Sequence, residues 1–125
     1  MTRTLAIDLD VPAALWLTAN GREHWREKAR RTKALRALAH ARCTPRTTRY
    51  GGPVNVTAII SYPTARKADP SNAAPTVKAL LDGIVDAGVL GDDDHRHVPR
   101  VSFERGPDTK TRGLYRVCID LEPSA

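Results

Sequence analysis

Apolar and polar residues alternate over 4–10, with Leu5, Ile7 and Leu9 on one side and Ala6, Asp8 and Asp10 on the other. That period predicts a half-buried strand, which Val11-Pro12-Ala13 breaks. A short apolar stretch at Leu15-Trp16-Leu17 leads to a turn at Asn20-Gly21. The period then lengthens. Over 22–42, alanines and leucines supply helix propensity, and Trp25, Ala29, Thr32, Leu35, Leu38 and Ala39 recur near steps of three and four. This spacing predicts a helix that buries one stripe, Trp25 included, and turns its arginines outward. Thr44-Pro45 ends it, with Cys43 as its last residue.

Residues 54–62 are β-branched and largely apolar, which predicts a buried strand. After a loop over 63–70 comes a second helix at 75–87, with Pro75 suited to its first turn and Gly88 to its end. Its apolar face is Val77, Leu80, Leu81, Ile84 and Val85, and Lys78, Asp82 and Asp86 form a polar stripe at four-residue steps. Strands are predicted at 98–105, with Val101 and Phe103 on one side, and at 113–121, separated by a turn. The order β-α-β-α-β-β predicts an α+β fold, a small mixed sheet of about four strands covered by two helices. The middle strand–helix–strand unit fits a right-handed crossover, and the last two strands fit a hairpin.

Length sharpens this picture: 125 residues with 41% apolar content make one domain, 1–125. No apolar run approaches the roughly 20 residues that span a bilayer. The N-terminal stretch has no apolar h-region, so a cytoplasmic location is expected. Two cysteines, Cys43 and Cys118, form no metal or redox motif, and a cytosolic setting disfavours a disulfide between them.

Charge changes the picture more. The chain carries +6, and arginine outnumbers lysine by 15 to 5. Residues 22–49 alone carry +8, so a basic half is expected to attract an anion such as nucleic acid. Arg22, Arg26, Arg30 and Lys33 fall on roughly one side of the first helix, where they would contact phosphates without reading sequence. Asn20 and His24, at its start, are expected to reach DNA as well.

Against that background, residues 69–94 hold six aspartates and no glutamate. Asp69 ends a loop, Asp82 projects from the second helix, and Asp92-Asp93-Asp94 follow that helix. Folding the post-helix loop back toward Asp69 would let them converge on a hard divalent cation, Mg²⁺ or Mn²⁺. Such an ion activates water and neutralises charge on a phosphodiester, and Lys78 is placed to assist. His95 and His97 flank the triple aspartate as possible added ligands. The plainer alternative is a solvated loop, with Asp82 paired to Lys78.

Two stretches resemble a known family: Arg66-Lys67-Ala68-Asp69-Pro70-Ser71-Asn72, and the run from Lys78 through Asp82 and the Ala87-Gly88 turn to Asp92-Asp93. Together they look like the signature of RusA-type Holliday junction resolvases. Trp16 to Asn20 before a basic helix, and Lys110 to Val117, extend the likeness over about 10–122. The resemblance implies a homodimeric, Mg²⁺-dependent endonuclease that nicks paired strands of branched, four-way DNA. It matches Asp69 and Asp93 to catalytic carboxylates, Lys78 to the functional lysine, and Asp82 and Asp92 to acidic positions beside them. It also places Arg66, Lys67 and Asn72 in a DNA-contacting loop. Ser71 departs from it, because the family has an aspartate there, and Asp82 is then expected to complete the metal set of Asp69, Asp82, Asp92 and Asp93. A DNA-binding module without catalysis is the competing expectation.

Overall fold

A computed structural model describes residues 4–124. The elements are β1 (Leu5–Pro12), α1 (Trp25–Arg42), β2 (Val54–Ser61), α2 (Ala74–Asp86), β3 (Val101–Arg105) and β4 (Leu114–Pro123), with 3-10 turns at Ala13–Leu15 and Pro70–Ala73. The strands form one sheet in the order β1-β4-β2-β3. β1 and β2 each run antiparallel to β4, and β3 runs parallel to β2. The fold is thus the mixed α+β sheet with two helices that the alternation predicts.

One predicted pairing is corrected. β3 and β4 do not form a hairpin: β4 lies between β1 and β2, and β3 occupies an edge. The chain leaving β3 continues along β2, where Gly106 N donates to Ile60 O (2.8 Å) and Thr109 N to Tyr62 O (2.8 Å). β4 then takes the centre because Val117, Ile119 and Leu121 can be buried completely there. In register, Ile119 faces Ile7 and Ala58, and Val117 faces Leu9 and Ile60. Each fully buried side chain of this size contributes about 2 kcal/mol, so the best-patterned strand settles where it gains neighbours on both sides.

α1 starts at Trp25, later than 22, because His24 caps it: the ring Nδ1 accepts from Arg26 N at 3.2 Å. Trp25 is also corrected. It is 67% exposed, not buried. Burial along α1 is complete only at Leu35 and Ala39, and the first turns leave Arg26, Lys28, Ala29 and Arg30 exposed. Helical spacing sets the direction of a side chain, not whether anything lies there to cover it.

α2 is the better buried helix, enclosing Val77, Ala79, Leu80, Leu81, Gly83 and Ile84. It meets α1 where Gly83 lies against the Arg36 carbonyl and Ala39. Buried Thr76 holds the 16–20 segment to α2: its Oγ1 accepts from Leu17 N (2.9 Å) and donates to Leu17 O (2.7 Å). Thr76→Val keeps the shape but strands both Leu17 groups out of water. Stability is expected to fall by about 2 kcal/mol, read as a lower denaturant midpoint at unchanged slope.

Candidate functional site

α2 presents Lys78 and Asp82 one turn apart on its uncovered side. The helix ends at Asp86 with Ala87 as its C-cap, and Gly88 adopts φ 81°, a left-handed conformation open to glycine without strain. This reverses the chain, so Val89 and Leu90 return into the core and the 91–94 loop passes back beside the helix. Asp93 arrives next to Lys78. The ammonium bridges Asp82 Oδ1 (3.1 Å) and Asp93 Oδ2. The carboxylates are partly enclosed, with side chains 26% and 19% exposed, whereas that of Lys78 is 62% exposed.

The two acids are pushed apart. Burial, with Asp93 alongside, raises the Asp82 pKa, while the Lys78 hydrogen bond lowers that of Asp93. The same contact with Asp93 raises Lys78. Two carboxylates this close favour a cation between them, and Lys78 supplies one. Mg²⁺ is commonly held through one or two carboxylates, water and a substrate phosphate. Asp82 and Asp93 fit that chemistry as a pair.

The wider set is less closely grouped. Among the described residues, no three His, Cys, Asp or Glu side chains are grouped to hold a metal ion. Asp69 lies before the turn that precedes α2, and its carboxylate makes no contact with the pair. From Ala74 to Asp82 the helix climbs roughly 12 Å, which carries Asp82 away from the Asp69 end. Asp92 Oδ1 accepts from Asp93 N at 2.7 Å, and the Asp92 side chain also lies against the Asp93 carboxyl, helping to hold its pKa down. Asp86, expected on the same stripe as Lys78, pairs instead with Arg36 of α1, which holds its pKa low. Asp94 caps its own loop and pairs with His97 Nδ1 at 2.7 Å, which lowers its pKa to about 2 and draws His97 away from the pair. His95 is exposed.

The expected DNA contacts divide between two places. On α1, Arg26 lies 5.2 Å from the Trp25 ring centre, Arg30 pairs with Glu27 at 2.6 Å, and Lys33 is exposed; Arg22 is exposed ahead of the helix. Asn20, Arg66 and Lys67 instead line a cleft of about 780 Å³ with Trp16, Tyr62 and Tyr115. Asn72 is half-buried, and its carbonyl accepts from Ala19 N at 2.9 Å, tying the Asn20 turn to the Asp69 loop.

Arg105 is not legible in the sequence as a functional residue, since one arginine among 15 carries no signal. It donates to the carbonyls of Thr64 (3.0 Å), Arg66 (2.8 Å) and Ala68 (3.1 Å) and lies 4.4 Å over the Tyr62 ring. It thereby fixes the loop that carries Arg66, Lys67 and Asp69. Arg105→Leu is expected to speed amide exchange over 64–69 by at least about tenfold, since charge-assisted bonds contribute roughly 1.5–3 kcal/mol each. Mass-spectrometric hydrogen exchange reads this directly.

The cysteines are both free. Cys118 is pushed up to about 12 by burial and by Asp8 and Asp120, which keeps it a thiol. Among the described residues, no helix is long and apolar enough to cross a membrane. In comparisons with known proteins, no family model and no curated protein matches the chain.

Proposed function

We propose that this protein is a Mg²⁺-dependent endonuclease of branched DNA, acting on four-way junctions as a homodimer in the manner its signature resembles. The observation that carries this reading is the Lys78–Asp82–Asp93 cluster, assembled where the loop after α2 folds back beside that helix on a strongly basic molecule. Asp82 and Asp93 would hold the ion. When bound, the ion activates water and offsets charge on the phosphodiester. Lys78 would move from the carboxylates toward a phosphate oxygen, and Asp69 would meet the substrate from its own loop. The α1 cations and the 66–67 pair hold the DNA backbone. The deciding experiment incubates a synthetic four-way junction and a linear duplex with the protein, with and without Mg²⁺. Nicks confined to the junction with Mg²⁺ support the reading; an intact junction under all conditions removes it.

A second reading, a DNA-binding module without catalysis, is favoured by Asp69 standing apart from the pair. It predicts tight junction binding with no nicks. Either reading requires strong salt dependence. Replacing Arg26 and Lys33 by Gln is expected to flatten the slope of log K against log salt by roughly 0.9 for each phosphate no longer neutralised, as read by anisotropy titrations across a salt series.

A further inference from the structure

The cleft beside the 64–68 loop has a built floor. Trp16 stacks on Tyr115 with ring centres 4.2 Å apart at 14°, and Tyr62 meets both edge-on at 6.1 and 5.8 Å. Trp16 and Tyr62 are nearly buried, whereas Tyr115 is half-buried. Arg105 pins Tyr62 from above, so the rings are held in place before any ligand arrives. The rim is different in kind. Arg66 and Lys67 are exposed, and among the described residues their side chains form no ion pair or hydrogen bond. Nor does the Asn20 side chain, an amide able both to donate and to accept.

A half-buried Tyr115 ring backed by Trp16, two uncompensated cations and one free amide match a ligand with a planar heterocycle joined at short range to an anion. The geometry points to a site for a single unpaired nucleotide, its base against Tyr115 beside the Tyr62 edge and its phosphates at Arg66 and Lys67. A base inside a duplex has both faces covered and its edge paired, so only an unstacked base can enter. Base–aromatic contact of this kind is tolerant of sequence and strong. Tyr62 Oη donates to the Asp69 carbonyl at 3.2 Å, so an occupied cleft would sit beside the Asp69 loop. This inference rests on the nucleic-acid reading above and adds to it a preference for DNA opened at a branch or a single-stranded stretch.

The test uses the full chain without Mg²⁺ and two labelled single strands of about eight nucleotides. One is oligothymidylate; the other has the same phosphates with abasic residues. Anisotropy is expected to show oligothymidylate binding at least about tenfold more tightly, and Tyr115→Leu should erase that preference while leaving abasic affinity unchanged. Trp25→Phe leaves Trp16 as the remaining one of the chain's two tryptophans, and its fluorescence should be quenched by the thymidylate strand and not by the abasic one. Equal affinities, no binding of either strand, or quenching by both would overturn the proposal. Should Tyr115→Leu fail to fold by circular dichroism, the Trp16 signal decides alone. Because no cleavage is scored, failure of nicking leaves this result standing, and failure here leaves nicking untouched.

Discussion

Asp82→Asn is expected to abolish Mg²⁺-dependent nicking of the junction, by at least about a hundredfold, and to leave junction affinity within about twofold. A bound divalent ion supplies several kcal/mol of charge stabilisation to phosphodiester cleavage, and each 1.4 kcal/mol is a factor of about ten in rate. The amide keeps the shape of the side chain and still accepts from Lys78, so α2 and its neighbour loop remain in place. It cannot balance a cation, and the pair becomes a single carboxylate. The sign of the pH dependence follows from the same geometry. Burial and Asp93 hold the Asp82 carboxyl above its usual range, so it keeps its proton to higher pH than an ordinary aspartate and gives it up before it can hold a metal. Nicking should therefore rise as pH climbs through that raised value, and the acid limb should vanish in the variant. Single-turnover rates over a pH series check both points. A fully active Asp82→Asn protein would remove the metal pair from the mechanism.

Gly83→Ala should destabilise the fold by about 3 kcal/mol, although alanine is the better helix former. Propensity alone favours the substitution by roughly 1 kcal/mol. At this position an added Cβ meets the Arg36 carbonyl oxygen, and lies 2.9 Å from Ala39 Cβ. The first of these neighbours is backbone and cannot rotate aside. Relief requires α1 and α2 to separate, which opens the packing around Leu35, Leu80 and Ile84. Overpacking of this kind costs about 1–3 kcal/mol and more where backbone is the obstacle. The steric loss outweighs the propensity gain. Thermal melts should show a fall of roughly 10 °C in Tm, given about 4 °C per kcal/mol for a domain near this size. Because Arg36 reaches across the same interface to Asp86, separation of the helices should also break that ion pair.

The elements are largely legible in the sequence because each writes its own period. β1 and β4 alternate, β2 is a β-branched apolar run, α2 repeats at three and four, and glycine and proline mark the ends; α2 falls within one residue of its predicted limits. The acid pair is legible in part. Lys78 and Asp82 share a helical face by spacing, and Asp93 follows a turn that Gly88 requires. Asp69 falls into the same group by charge pattern, but such a pattern carries no distance, and α2 intervenes as a rigid spacer. The burial expected of Trp25 fails for a related reason: an apolar residue in step with a stripe still needs a surface to meet.

Local sequence determined which segments are strands and helices, which face of each is apolar, and that a basic half and a cluster of aspartates share one small domain. Those properties depend on neighbours within a few residues. Only the tertiary structure decided that β4 lies at the sheet centre, that Asp93 and not Asp69 stands beside Asp82, and that Trp16, Tyr62 and Tyr115 meet under the Arg105-pinned loop. The first and last depend on contacts between residues tens of positions apart, and the second on how the short loop after α2 packs back against that helix. Such contacts are selected by which packing buries the most apolar surface while leaving buried polar groups partnered, a competition over the whole chain that no single segment records.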